Sequence, residues 1–327
     1  MAVYTAITLD ELNLLLADYD LGTAVALKGI QGGIENTNYF VTLEHQGTTT
    51  DYVLTIFEEL SKDELPYFIH FGQSLDAKGV AVPYGIKNRE GKAQLDIQGK
   101  PAMLQPKFSG AHLDKDTITP VHCAEIAEGL ARFHIAAQDF PEQRQAHRGV
   151  LWWREYGPQA AAKLPAADGK LLLDEVAKFD WLREQGFDLP VTTMHGDLFH
   201  DNALFIGDKL SAILDIYNAA TGYMLYDLAI VANDWCSDSE GKIDPAREQA
   251  LLAAYHQVRP FTQDETALWP TLVRTAAMRF WLSRLIPTLG IGQSMRASGE
   301  IKILDPDAMK RILQYRVDHP AEILLDI

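Results

Sequence analysis

The residues best equipped for chemistry cluster in His195-Gly196-Asp197-Leu198-Phe199-His200-Asp201-Asn202, with Asp215 a short way downstream. Asn and Asp supply hard oxygen ligands suited to Mg²⁺, which binds through one or two protein oxygens and leaves its other positions to water and phosphate. A separate carboxylate can orient an attacking hydroxyl and take up its proton. The set therefore suits phosphoryl transfer, with Asp197 as the base and Asn202 and Asp215 as metal ligands. A rival reading makes His195, Asp197, His200 and Asp201 the transition-metal ligands of a hydrolase. It needs further histidines, but His134, His147 and His256 show no HxH or HExxH spacing. His195 reads better as a buried histidine bonded to a carbonyl, and His200 as a solvent- or phosphate-facing side chain.

The runs ALFI and LSAILDI flank Gly207-Asp208 and predict a β-hairpin. A hairpin joins residues that lie symmetrically about its turn, so Asn202 and Asp215 should face each other across its mouth, with Asp197 on the loop entering the same end. The interval from His195 to Asn202 is the H-x-D-x-x-x-x-N of kinase catalytic loops. Asp215, in Asp-Ile-Tyr, stands where a kinase has the metal-binding aspartate of Asp-Phe-Gly.

Upstream, ALKGI, NYFVTLE and DYVLTIFEE alternate with the turn signals QGGIENT and HQGTTT, which predicts antiparallel hairpins. SKDELPYFIHFGQSLDAKG predicts a helix opened by a Ser61–Glu64 capping box, and PYGIKNREGKAQLDIQGKPAMLQPKF two or three more strands. Residues 105–110 have the proline and glycine of a hinge. Beyond it, helices are expected over 120–137, 171–185, 245–257, 264–286 and 306–316, three of them starting at Thr119-Pro120, Asp244-Pro245 and Asp305-Pro306. The expected fold is α+β and bilobal, with a small antiparallel β-rich lobe (1–104), a hinge (105–110) and a larger, mainly helical lobe (111–327).

With 327 residues, 47% of them hydrophobic, the chain has material for two domains. Its 45 acids against 29 scattered bases give a net charge of -16, which disfavours nucleic acid and anionic membrane as partners. Phosphates must then be met by backbone N–H groups, metal ions or a few placed bases. Gly32-Gly33-Ile34-Glu35-Asn36-Thr37-Asn38 is the candidate turn: Gly32 and Gly33 permit close backbone approach, and Asn36, Thr37 and Asn38 add neutral donors. The N-terminus MAVYTAITLDELNLLL has acids where an export signal has bases, and no long apolar run follows, so a cytoplasmic location is expected. Cys123 and Cys236 form neither a disulfide framework nor a zinc site and read as buried thiols.

GGIENTNYFV, YVLTIFEEL, GVAVPYGIKNREGKA, GKPAMLQPKFSG, VHCAEIAEGLARFH, MHGDLFHDN, ILDIYNAATGYMLYDLAIVANDWC and RFWLSRL together resemble the aminoglycoside phosphotransferase and choline kinase superfamily over nearly the whole chain. YDLAIVANDWC and RFWLSRL tip the resemblance toward the homoserine kinases of that fold. The resemblance implies a protein-kinase-like fold, transfer of the γ-phosphoryl of Mg-ATP to the hydroxyl of L-homoserine, and a place in threonine biosynthesis. It groups Gln105 with Gly32, Gly33, Asn36, Thr37 and Asn38 as nucleotide-binding residues. One departure is Thr55, in the third strand, where many members have a lysine for the phosphates; a hydroxyl cannot replace that charge, and Glu64 loses the partner such a lysine would be. Lys28 is a candidate substitute.

Homoserine would need a base for its carboxylate and an acid for its ammonium. Arg279 or Arg284 is assigned to the first and Asp234 or Asp201 to the second. Choline, ethanolamine, another amino alcohol or an aminoglycoside are the alternative acceptors. Trp152, Trp153, Tyr156, Trp235 and Trp281 could cage a quaternary ammonium, and an acidic protein suits a polycation. A non-catalytic nucleotide-binding protein is a third reading, resting on Thr55 alone. The sequence carries no signal for the oligomeric state.

Overall fold

The computed structural model describes residues 3–30, 35–292 and 304–324. The chain divides into two compact units, Met1–Ser109 and Gly110–Ile327. The expected turn residues Gly32 and Gly33 lie outside the described residues.

The first unit contains helix α1 (Leu9–Leu15), strands β1 (Thr23–Gly29), β2 (Asn36–His45) and β3 (Thr48–Phe57), helix α2 (Leu65–Asp76), and strands β4 (Gln94–Ile97) and β5 (Lys100–Pro106). The strands pair antiparallel in the order β1-β2-β3-β5-β4, as the turn signals predicted. Strand residues alternate between faces, so Tyr39, Val41, Leu43, Leu54, Ile56, Ala102 and Leu104 share one face and form a core with Leu12 of α1 and Leu16, its C-cap. The opposite face presents Asn38, Phe40, Val53, Thr55 and Gln105, with Asn38 paired to Thr55 and Val53 to both Phe40 and Gln105. The unexpected α1 starts at a reciprocal Thr8–Glu11 capping box.

Two boundaries move. Ser61 and Glu64 do not cap α2 as a box, because Pro66 in the first turn sets the helix start at Leu65. Glu64 instead accepts the N–H and hydroxyl of Ser61 in the preceding turn, at 3.1 and 2.9 Å. Gln105 and Pro106, read as hinge, are the last ladder residues of β5.

The second unit holds α3 (Pro120–Ala137), α4 (Val150–Ala161), α5 (Ala166–Glu184), β6 (Val191–Met194), β7 (Ala203–Ile206), β8 (Lys209–Ile213), β9 (Ala220–Tyr223), α6 (Met224–Trp235), α7 (Pro245–Val258), α8 (Gln263–Thr288) and α9 (Pro306–Asp318). Thr119, Asp244 and Asp305 cap α3, α7 and α9 with their side chains, each followed by proline. α5 starts earlier than expected, behind Pro165. β7 and β8 are the predicted hairpin, with Gly207 at φ 58° in a two-residue turn. β6 and β9 pair antiparallel; four residues each is too short for alternation to announce them. Trp235, Trp269, Trp281, Tyr255 and Phe133 are fully buried in the core, which removes Trp235 and Trp281 from any cage for a quaternary ammonium. Cys123 and Cys236 are free, buried thiols. Among the described residues no helix is long and apolar enough to cross a membrane.

Candidate active site

The loop from His195 to Asn202 runs between β6 and the hairpin, over a helix buried at every position. α6 carries two acids among its apolar residues, Asp227 and Asp234. They are seven residues apart, close to two full turns, so both project from one side of the helix. A buried carboxylate must be satisfied by donors, and the loop backbone supplies them. Asp227 accepts the N–H groups of His195 at 2.6 Å and Gly196 at 2.8 Å, and also takes His134 Nε2 at 3.0 Å. Asp234 accepts the N–H of His200 at 2.7 Å and its Nδ1 at 2.8 Å. Trp235 Nε1 donates to the Leu198 carbonyl at 3.2 Å. The helix thus holds the loop at both ends and leaves the carboxylate of Asp197 between the clamps, 27% exposed.

His195 is the structural histidine that its setting predicted. It is fully buried, and its Nδ1 accepts the Asp197 N–H at 3.2 Å, so Nε2 carries the proton donated to the Leu214 carbonyl at 2.8 Å. Burial lowers its pKa, which keeps the ring neutral. His200 differs: burial opposes its charge, but the hydrogen bond and charge of Asp234 outweigh burial and raise its pKa. Burial likewise opposes ionisation of Asp234, and His200 and Lys115 overcome it to lower the carboxyl pKa. Both shifts describe one buried ion pair.

Asn202 donates its side-chain N–H to the Asp197 carbonyl at 2.8 Å, which fixes the amide so that Oδ1 is the atom left for a cation. The hairpin register corrects the expected facing pair. A bulge places Ser211 outside the ladder, Ala203 pairs with Ile213, and the Leu214 N–H reaches the Asn202 carbonyl at 2.8 Å. Asp215 is therefore one residue beyond the partner of Asn202, and it adopts a left-handed conformation with φ 56° and ψ 53°. An unbulged hairpin would have left it a residue further away. The Asn202 amide and Asp215 carboxylate are a donor set for a hard cation, and they fit Mg²⁺.

Arg279, at the middle of α8, is 6% exposed and places Nη1 4.0 Å from Asp197 Oδ1, its guanidinium 3.8 Å from the Phe280 ring centroid. Arg284 lies one turn further on and donates to the Asp305 carbonyl at 3.1 Å; burial lowers its pKa against the opposing charges of Asp234, Asp305, Asp197 and Asp201. Asp201 is exposed. Asp234, by contrast, is 2% exposed and committed to His200 and Lys115. Its carboxylate clamps the loop, which corrects its expected role as the ammonium partner.

In the first unit, Gln105 Nε2 donates to Thr55 Oγ1 at 2.8 Å, and Thr55 donates to Asn38 Oδ1 at 2.7 Å. Thr55 is thus the middle of a neutral hydrogen-bond chain. Thr37 lies on the other face, fully buried, donating to Glu58 at 2.6 Å and accepting the N–H groups of Tyr4 and Thr5. Alternation within β2 turns it away from Asn36 and Asn38, so it is a core residue and not a phosphate donor. Lys28 is exposed on β1, opposite Phe40.

Asp227 has no motif of its own, although two acids at a seven-residue spacing in an apolar helix are a legible signal. The helical unit also holds a cavity of about 430 Å³, lined by Gly196, Arg148, Arg183, Tyr226 and Arg279 among others.

An HGD loop over a buried helix, a hairpin with Asn202 and Asp215 at its open end and an antiparallel five-stranded sheet in the preceding unit define a phosphotransferase of the protein-kinase-like α+β fold. The chain belongs to the phosphotransferase enzyme family, whose profile matches residues 26–261. It is 41% identical to a homoserine kinase of Cupriavidus metallidurans, covering 99% of both chains. It is 43% identical to a homoserine kinase of Pseudomonas aeruginosa strain LESB58, covering 97% of this chain and 96% of the relative. Among solved structures, the amicoumacin kinase hAmiN superposes with a TM-score of 0.68 at 13% identity, covering 94% of this chain and 92% of that one. A choline kinase from Cryptosporidium parvum gives 0.60 at 15%, over 90% and 88%.

Proposed function

We propose that the protein transfers the γ-phosphoryl group of Mg-ATP to the side-chain hydroxyl of L-homoserine, as a cytoplasmic step of threonine biosynthesis. The observation that carries this reading is the loop clamped at both ends by α6, which presents Asp197 beside the Asn202 amide, with Asp215 one residue past the ladder partner of Asn202. The likeness to homoserine kinases over almost the full chain supports the choice of acceptor.

In this reading Asp197 hydrogen-bonds the acceptor hydroxyl, orients it toward the γ-phosphorus and takes its proton as the new P–O bond forms and ADP departs. Asn202 Oδ1 and the Asp215 carboxylate hold Mg²⁺, which when bound neutralises charge on the phosphates. Asn36, Asn38 and Gln105 contact the nucleotide from the first unit, with the Gly32-Gly33 turn. Arg279 takes the acceptor carboxylate. With Asp234 engaged elsewhere, Asp201 is the acid left for the ammonium, and Arg284 steadies the surrounding acids.

A coupled ADP-release screen over homoserine, choline, ethanolamine, 5-methylthioribose and kanamycin tests the acceptor. Turnover of homoserine well above the rest is expected; preferential turnover of any other compound overturns the assignment. The Thr55 chain gives a second expectation. Thr55→Val removes the hydroxyl that accepts from the Gln105 amide and donates to Asn38 Oδ1, and should cost about 1–3 kcal/mol. The urea midpoint should fall and KM for ATP should rise, with KM for homoserine unchanged. An unaltered midpoint would show that the chain holds nothing together.

A further inference from the structure

α6 is buried along its whole length, so each polar side chain on it needs a protein partner, a water or a ligand. Four of its five such residues find partners within the protein. Asp227 and Asp234 clamp the catalytic loop, and Trp235 Nε1 donates to the Leu198 carbonyl. Asn233 donates its amide to the Val273 carbonyl at 2.6 Å and accepts Arg316 Nε at 3.1 Å. Tyr226 is the exception. It is 7% exposed, and its hydroxyl has no hydrogen-bond partner among the described residues. Other buried tyrosines of the chain are satisfied: Tyr39 donates to the Thr5 carbonyl at 2.9 Å, and Tyr255 pairs with His134 at 2.7 Å.

Where the unpaired hydroxyl sits gives it a use. Tyr226 lines the 430 Å³ cavity together with Gly196, the residue before Asp197, and Arg279, which reaches Asp197 at 4.0 Å. A cavity of that volume suits a small molecule. The charges of Arg279 and Asp197 both act on the phenol, yet it is hydrogen-bonded to neither. Burial pushes its pKa up; Arg279 opposes the rise, and Asp227 and Asp197 add to it. The group therefore stays a neutral O–H, able to donate and to accept. Its ring packs on Trp153 at 6.2 Å between centroids, and Trp153 is itself anchored by its Nε1 to the Arg148 backbone carbonyl at 2.7 Å. A ring held in this way leaves little besides the O–H torsion to adjust.

We infer that Tyr226 is an acceptor-binding residue, its hydroxyl hydrogen-bonding a charged group of the acceptor while the acceptor's own hydroxyl is at Asp197. The inference rests on the phosphoryl transfer to homoserine given under Proposed function. It adds to that reading a substrate contact from the helix that clamps the loop, so one element places both the base and a point of its substrate. Two rivals predict something else. A water on the hydroxyl, or a ring that binds a cation through its face, leaves acceptor affinity unchanged when the hydroxyl alone is removed.

Tyr226→Phe makes that removal and keeps the ring against Trp153. No bond within the protein is lost, so the urea midpoint should match that of the wild type. Homoserine titrated calorimetrically into enzyme holding Mg²⁺ and a non-hydrolysable ATP analogue should bind about 10- to 100-fold more weakly, the equivalent of one lost hydrogen bond to a charged group. In turnover, KM for homoserine should rise by the same factor, with KM for ATP within a few-fold. Tyr226→Leu, which removes the ring as well, should also lower the midpoint. The same pair of enzymes compared on homoserinol, which lacks the carboxylate, locates the contact: a factor that vanishes puts it on the carboxylate, and one that persists puts it on the ammonium. Unchanged homoserine affinity in Tyr226→Phe overturns the assignment. A fallen midpoint in that variant, or an equal rise in both Michaelis constants, marks a structural role and overturns it too. A wild type that prefers another acceptor removes homoserine and not the tyrosine, whose part is then decided by the same titration with that acceptor. A wild type that turns over none of the acceptors removes both.

Discussion

Asp197→Asn retains Mg-ATP binding and lowers kcat about 10²- to 10⁴-fold, the range spanned by a positioned general base. The substitution is nearly isosteric, and the contacts that place the residue are made by its backbone: its N–H to His195 Nδ1 and its carbonyl to the Asn202 amide. An asparagine at this site therefore stands where the carboxylate stood, flanked by clamps that do not depend on it. What it lacks is a site for the proton of the acceptor hydroxyl and a charge opposite Arg279. Calorimetric titration with Mg-ATP should give a Kd close to that of the wild type, and single-turnover measurements should show the loss in the chemical step. A variant within a few-fold of wild-type turnover would remove Asp197 from the reaction.

How much of this site could be read from the chain depends on whether its parts are local. The interval from His195 to Asn202 and the Gly207-Asp208 turn are written in consecutive residues, so the loop, the hairpin and the neighbourhood of Asn202 and Asp215 were legible. The bulge at Ser211 was not, because a one-residue slip in register leaves the apolar pattern of the strand almost unchanged. Thr37 shares the polarity of its neighbours Asn36 and Asn38 and so reads with them as a phosphate donor; only the strand's alternation, and a half-buried Glu58 contributed from elsewhere, turns it inward. Asp234 reads as a substrate ligand for a related reason. A buried acid near an active site looks the same in sequence whether it meets a ligand or the backbone beneath the ligand. The cavity drew on α4, α5, β6, β9, α6 and α8 at once, a convergence that no local pattern records.

Among substitutions outside the reacting groups, Asp227→Ala should be the most damaging. The carboxylate is fully buried and satisfies the N–H groups of His195 and Gly196 together with His134. Alanine leaves all of them without an acceptor, and breaking such a buried charged network costs about 3–5 kcal/mol. That is a large share of the roughly 5–15 kcal/mol that separates most folded domains from their unfolded chains. The urea midpoint should drop sharply, and residual folded enzyme should turn over poorly because the loop has lost its upstream clamp. The pH dependence separates this from simple packing loss. Burial opposes the charge of Asp227, but His134, His195 and the backbone N–H of Gly196 outweigh it and hold its pKa below the ordinary carboxylate value. A depressed folded-state pKa contributes stability that is fully present above the unfolded value of about 3.9 and is lost as the pH falls through the folded one. Wild-type stability should therefore decline below about pH 4 more steeply than that of Asp227→Ala, whose chain no longer releases that proton on folding. Parallel acid-unfolding curves for the two proteins would mean that the loop is held by packing and not by the ionised carboxylate beneath it.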